Sequence, residues 1–136
     1  MRVLALTLPA LVLAAGAAAA PVPITGRWLT EGSKAVVNIA PCGQQLCGRI
    51  TRILKVTPGR PQTDIKNPEP SLRNRPLEGI NILSGFTAGG DRWNGRIYDP
   101  ESGKTYRSEL SAAGATLKVK GCISFFCRSQ TWTRAR

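Results

Sequence analysis

The side chains able to do chemistry are few in this sequence: four cysteines, eight carboxylates and no histidine. Without histidine there is no imidazole acid–base catalysis and no His-ligated metal. The carboxylates that could serve a sugar hydrolase as an acid and base pair are Glu78, Asp91, Asp99, Glu101 and Glu109. Asp99 and Glu101, however, stand around Pro100 in a turn that calls for such residues anyway, and Glu78 lies near Arg75. No serine has an evident activating partner. The expectation is a protein that is not an enzyme and holds no cofactor or metal.

The cysteines fall in two C-x4-C pairs, Cys42-GQQL-Cys47 and Cys122-ISFF-Cys127. Four cysteines permit three connectivities, and spacing alone does not choose among them. Local pairing is favoured because each pair brackets a predicted hairpin tip, where facing cysteines can meet bridging geometry. Each such short loop should contribute about 2 kcal/mol. The alternatives are a zinc site of all four thiolates, although zinc ribbons use C-x2-C knuckles, and a redox pair, which usually shows C-x-x-C beside a helix start. Disulfides also suit the leader described below, since they persist in oxidising compartments.

These residues need a frame, and the frame reads as strands. Ala35, Val37 and Ile39 alternate with polar or smaller neighbours, as do Trp93, Gly95 and Ile97, then Tyr106, Ser108 and Leu110, then Leu117 and Val119. Period-two alternation is the signature of half-buried strands. Further strands are predicted over 26–30, 46–56, 80–86 and 127–134, about eight in all, separated by Gly, Asp and Pro turn signals. No helical stripe appears outside the leader. Many short strands at regular spacing mean a sandwich or a barrel.

One stretch breaks the rhythm. Residues 57–76 carry five prolines between two strands, a long loop for a compact domain. A structural Ω-type loop capping the sheet is the plainer reading and a ligand lid the sharper one, with Asp64, Asn67 and Arg75 as its polar residues.

Residues 1–19 read as a cleavable signal peptide: Met1-Arg2, an apolar Leu/Ala run, then small residues, with a cut after Ala17, Ala18 or Ala19. Residues 20–136 form the single remaining domain, periplasmic or secreted, with no stretch long enough to span a membrane. Nineteen Lys and Arg against eight Asp and Glu give a charge of +11, which favours contact with anionic polymers. The basic residues are spread rather than clustered, as on a solvated surface.

Ordered motifs along the chain carry a resemblance. They are Gly26-Arg27-Trp28, Leu46-Cys47-Gly48-Arg49-Ile50 after Cys42, Asp64-x-x-Asn67-Pro68 and Arg75-Pro76-Leu77-x-Gly79. Then come Trp93-x-Gly95-x-Ile97-Tyr98-Asp99-Pro100, Gly103-Lys104-x-Tyr106, Leu117-x-Val119-x-Gly121 and Gln130-Thr131-Trp132-Thr133-Arg134. Together they make the sequence similar to the bacterial exported family called domain of unknown function 2147. Cys122 and Cys127 depart from that family's usual pattern and suggest an added staple on the last hairpin. The resemblance implies an all-β fold: a single small antiparallel up-and-down barrel of lipocalin-like type. It also implies a plug at the closed end, with Trp28 covered by Arg134, or alternatively by Arg128, through a cation–π contact.

A small barrel either fills its interior or holds one small ligand. Charged faces such as Arg92-Asn94-Arg96 and Arg107-Glu109 belong in solvent unless partnered. In the opposite register Arg96, Tyr98 and Arg107 would line a pocket suited to a carboxylate or phosphate. The expected function is a monomeric exported protein that binds a small amphipathic or anionic molecule. The runner-up is an envelope module with a filled barrel, whose basic surface contacts an anionic polymer or a protein.

Overall fold

The computed structural model describes residues 8–13 and 20–136. The predicted cleavage site and most of the predicted signal peptide lie outside the described residues. No helix among the described residues is long and apolar enough to cross a membrane.

Eight strands follow one another in chain order: β1 (Gly26–Leu29), β2 (Ala35–Cys42), β3 (Gln45–Ile53), β4 (Asn81–Gly89), β5 (Arg92–Asp99), β6 (Lys104–Ala113), β7 (Thr116–Ile123) and β8 (Phe126–Arg134). Each pairs antiparallel with its sequence neighbour, and β1 pairs with β8 to close the barrel. Closure leaves the sheet no free edge. The alternation seen in the sequence sets the inner face. Val37, Leu110, Leu117, Val119 and Trp132 are all buried there, while their strand neighbours Arg107, Lys118 and Thr131 are exposed.

The β3 strand stops at Ile53, three residues short of the predicted end. Two hydrogen bonds turn the chain away, from the Leu54 and Lys55 amides to the Lys34 carbonyl (2.8 and 3.1 Å). The Ile53 amide donates instead to the Glu78 carboxylate (2.9 Å).

An up-and-down barrel has two ends, and here they differ. The first end carries the tight β2–β3, β4–β5 and β6–β7 turns and the chain entering β1. Trp28 is fully buried just inside it and donates its indole N–H to the Ile24 carbonyl (2.8 Å). The Arg134 guanidinium lies 3.9 Å from the centre of the Trp28 ring and also donates to the Thr25 carbonyl (2.7 Å). That end is closed. At the second end lie a short 3-10 turn (Glu31–Ser33), the β5–β6 and β7–β8 turns, and the long β3–β4 loop.

Both cysteine pairs are local disulfides, Cys42–Cys47 on the β2–β3 hairpin and Cys122–Cys127 on the β7–β8 hairpin. Cys122 and Cys127 are directly opposed across the ladder, whereas Cys42 and Cys47 are offset by two residues. Replacing Cys122 and Cys127 by serine should lower unfolding free energy by about 2 kcal/mol. Urea unfolding with and without reductant measures this, and an unchanged midpoint would count against any stabilising role for the staple.

Candidate functional site

Inside the barrel the two halves are filled differently. Towards the closed end Trp28, Val37, Ile39, Phe86, Leu110 and Leu117 pack into the hydrophobic core. Towards the other end the interior opens into a cavity of about 830 Å³. That volume lies in the range of pockets that enclose small molecules. Its walls and floor include Ile50, Ile82, Ile97, Val119 and Trp132.

One row of the barrel's inner face is made of small residues, and of these Gly121 lines the cavity. Gly95, Ser108 and Gly121 stand side by side on β5, β6 and β7, and the next residue in that row is Arg128 on β8. The Phe86 ring packs where a Gly95 side chain would stand, whereas Gly121 leaves room beside Ile97 and Tyr106. The Ser108 hydroxyl is fully buried without a hydrogen-bond partner among the described residues.

Arg128 is the charge on the inner face of β8 that lines the cavity. It shares that face with Gln130 and Trp132 and stays exposed because the cavity opens to solvent. Among the described residues no carboxylate lies within ion-pairing distance of it. Gln130 beside it accepts the Trp132 indole N–H through Oε1 (2.7 Å), which turns its amide donors elsewhere. The sequence offers Arg128 only as an alternative to Arg134 over Trp28, and the structure gives that place to Arg134. The signal was present: alternation from Trp132 back through Gln130 puts Arg128 on the same face.

Arg96 and Arg107 require a correction. They are exposed and stand opposite each other on the outer surface of β5 and β6, so the pocket of Arg96, Tyr98 and Arg107 does not form. The register puts Gly95, Ile97, Tyr106 and Ser108 inside, and an arginine has no room to exchange faces with them.

Tyr98 has a different task at the rim. Its hydroxyl donates to Asp64 Oδ1 (2.5 Å) from a position 34 residues away in the chain. Asp64, fully buried, also accepts from Asn67 Nδ2 (2.8 Å) and from Arg75, whose Nε and Nη2 lie 3.0 and 2.9 Å from Oδ2. Burial opposes ionisation of Asp64, but the bonds from Tyr98, Asn67 and Arg75, with the Arg75 charge, outweigh it and hold the carboxyl below its ordinary value. Burial, then the bond to Asp64 and its charge, push the Tyr98 phenol up to about 12.

Asp64, Asn67 and Arg75 therefore spend their polar groups on the loop itself. The loop is also pressed onto the β5–β6 turn. Gly103 has a positive φ of 74°, and a Cβ there would collide with the Lys66 carbonyl. The arrangement is that of a pinned structural loop whose first half, from Thr57 to Lys66, forms one side of the cavity mouth.

The acid and base candidates are engaged separately. Asp99 caps its own turn, accepting from the Glu101 amide and the Ser102 hydroxyl (both 2.9 Å). Glu101 faces Arg60 (3.7 Å), Asp91 pairs with Arg92, and Glu109 pairs with Arg92 and Lys120.

A closed antiparallel meander, plugged at one end and hollow towards the other, is a lipocalin-like barrel. Protein HP1028 from the human pathogen Helicobacter pylori, described as belonging to the lipocalin family, shares this fold with a TM-score of 0.72. The two are 22% identical over 85% of this chain and 84% of that one, a likeness of fold. The chain itself belongs to the family described as uncharacterized protein conserved in bacteria (DUF2147), which matches residues 26–134. Comparison with curated proteins gives no match.

Proposed function

We propose that this is an exported, non-catalytic binding protein that holds a small amphipathic anion in the open half of its barrel. The observation that carries the reading is Arg128, an inward-facing guanidinium without a carboxylate partner among the described residues, set above an apolar floor of Ile50, Val119 and Trp132. A carboxylate or phosphate would pair with Arg128, and the ligand's apolar part would reach towards Trp132. The lipocalin-like fold supports binding of this kind. The two disulfides are compatible with export. The carboxylates that could do acid–base work are committed to turns and ion pairs, which favours binding over catalysis.

The test compares decanoate with decan-1-ol by quenching of tryptophan fluorescence, with Trp132 at the cavity floor as reporter. Decanoate should bind about tenfold more tightly than the alcohol, since a charge-assisted hydrogen bond is worth about 1.5–3 kcal/mol. Arg128→Gln should erase the difference. Equal affinities for the two probes in the unmodified protein would sink the reading.

A second reading has one observation in its favour. The outer face of β5, β6 and β7 carries Arg92, Arg96, Arg107, Lys118 and Lys120 against Glu109 alone among the strand residues. A strip of that sign would contact an anionic envelope polymer, and such binding would weaken as salt is raised.

A further inference from the structure

Exposed apolar side chains are not scattered over this barrel. Across residues 20–136 the large ones are Val22 near the closed end and, in the long loop or the β7–β8 turn, Leu54, Val56, Ile65, Leu72, Ile123, Phe125 and Phe126. Phe125 and Phe126 are 96% and 84% exposed at the tip of the β7–β8 hairpin. Directly behind the tip the Cys122–Cys127 disulfide ties the two strands together, so the pair is carried on a stapled projection. Two adjacent aromatics so exposed, held on a stapled projection, mark a surface made for a partner.

Charge on the same rim says which partner. Lys34, Lys55, Lys66 and Arg128 line the mouth without a salt bridge among the described residues, and only Arg60 is paired, with Glu101. The remaining acids there are Glu31 and Asp99, and Asp99 is occupied by its own turn. Lys55 donates to the Gly32 carbonyl (2.6 Å) but meets no carboxylate among the described residues. Projecting aromatics on a rim carrying cations that lack carboxylate partners fit the interface of an anionic bilayer, where rings sit at headgroup depth and ammonium groups meet phosphates. We infer that the open end docks on anionic lipid membranes, with the Phe125–Phe126 tip inserted and the mouth of the barrel facing the bilayer.

This docking goes beyond ligand binding and does not require the cavity to be filled. The experiment is co-sedimentation of the whole protein with vesicles of equal parts phosphatidylglycerol and phosphatidylcholine, against vesicles of phosphatidylcholine alone. Phe125 lies outside the cavity lining, so Phe125→Ser should fold normally and bind decanoate as the unmodified protein does. Its affinity for the anionic vesicles should fall about fivefold or more, because one interfacial aromatic is lost. The binding that remains should weaken with salt. If Phe125→Ser binds the anionic vesicles as well as the unmodified protein, the docking face lies elsewhere and the inference is overturned. Absence of vesicle binding at low salt overturns it too and leaves the rim to a protein partner. Because decanoate binding is read separately, neither result bears on the ligand in the barrel.

Discussion

Asp64→Ala should lower the stability of the protein by about 3 kcal/mol, and the loss should begin in the β3–β4 loop. The carboxylate takes hydrogen bonds from three side chains, and its removal strands the Asn67 amide and the Tyr98 hydroxyl. Arg75 is about a third exposed and recovers water, which keeps the cost towards the low end for a broken buried pair. Asp64→Asn should be nearly as costly, since an amide nitrogen cannot accept from Arg75 or Tyr98. Urea unfolding gives the total, and hydrogen exchange over residues 61–78 locates it. A loss below about 1 kcal/mol would show that the loop is held by its backbone bonds alone.

The same cluster sets a pH window. The Asp64 pKa is lowered in the folded state, so its contribution is complete above the ordinary value of 3.8 and is lost as pH falls through the folded value. Tyr98 is shifted the other way. Its contribution is complete below the ordinary value of 10.0 and is lost as pH rises towards about 12. The loop should therefore loosen at both extremes; in Asp64→Ala the acid loosening should be absent and the alkaline one reduced, since burial still raises the Tyr98 phenol.

Trp28→Ala should cost still more, about 4 kcal/mol, because it empties the closed end of its largest buried side chain. Three losses coincide: the packed ring, the indole donor to Ile24 and the surface on which Arg134 lies. Arg134→Ala removes only the cover and is exposed, so it should cost about 1 kcal/mol. Equal costs for the two variants would mean that the guanidinium, not the ring, closes this end. Thermal unfolding of both variants in one buffer makes the comparison.

Much of this architecture is legible in the sequence. Alternating residues place strands near their observed limits because each face of a barrel wall has one environment. Local cysteine pairing follows from hairpin tips, and the Trp28–Arg134 contact follows from the family likeness. The side of β5 and β6 that faces in is legible as well: charged Arg96 and Arg107 belong in solvent, which leaves Gly95 and Ser108 on the inner face with Ile97 and Leu110. Arg128 escaped notice as a cavity residue because a charge on an inner face runs against the pattern that finds inner faces. Asp64, Asn67, Arg75 and Tyr98 stood out by residue type, but their convergence on one carboxylate depends on how the loop meets β5.

The pairing of β1 with β8 bears on the order of folding. Seven of the eight ladders join sequence neighbours, so hairpins can form one after another as the chain lengthens. The eighth rests on two aligned pairs, Trp28 with Arg134 and Leu29 with Thr133, and the Arg134 bond to Thr25 spans 109 positions. Closure should thus be the latest and slowest step, since it carries the largest loop entropy for the shortest seam. Until then the molecule is a curved open sheet with two unpaired margins, and a second unfinished copy offers either margin a competing mate. Dilute refolding should favour the closed monomer, whereas crowding of unfinished chains should favour exchange of the terminal strands between copies.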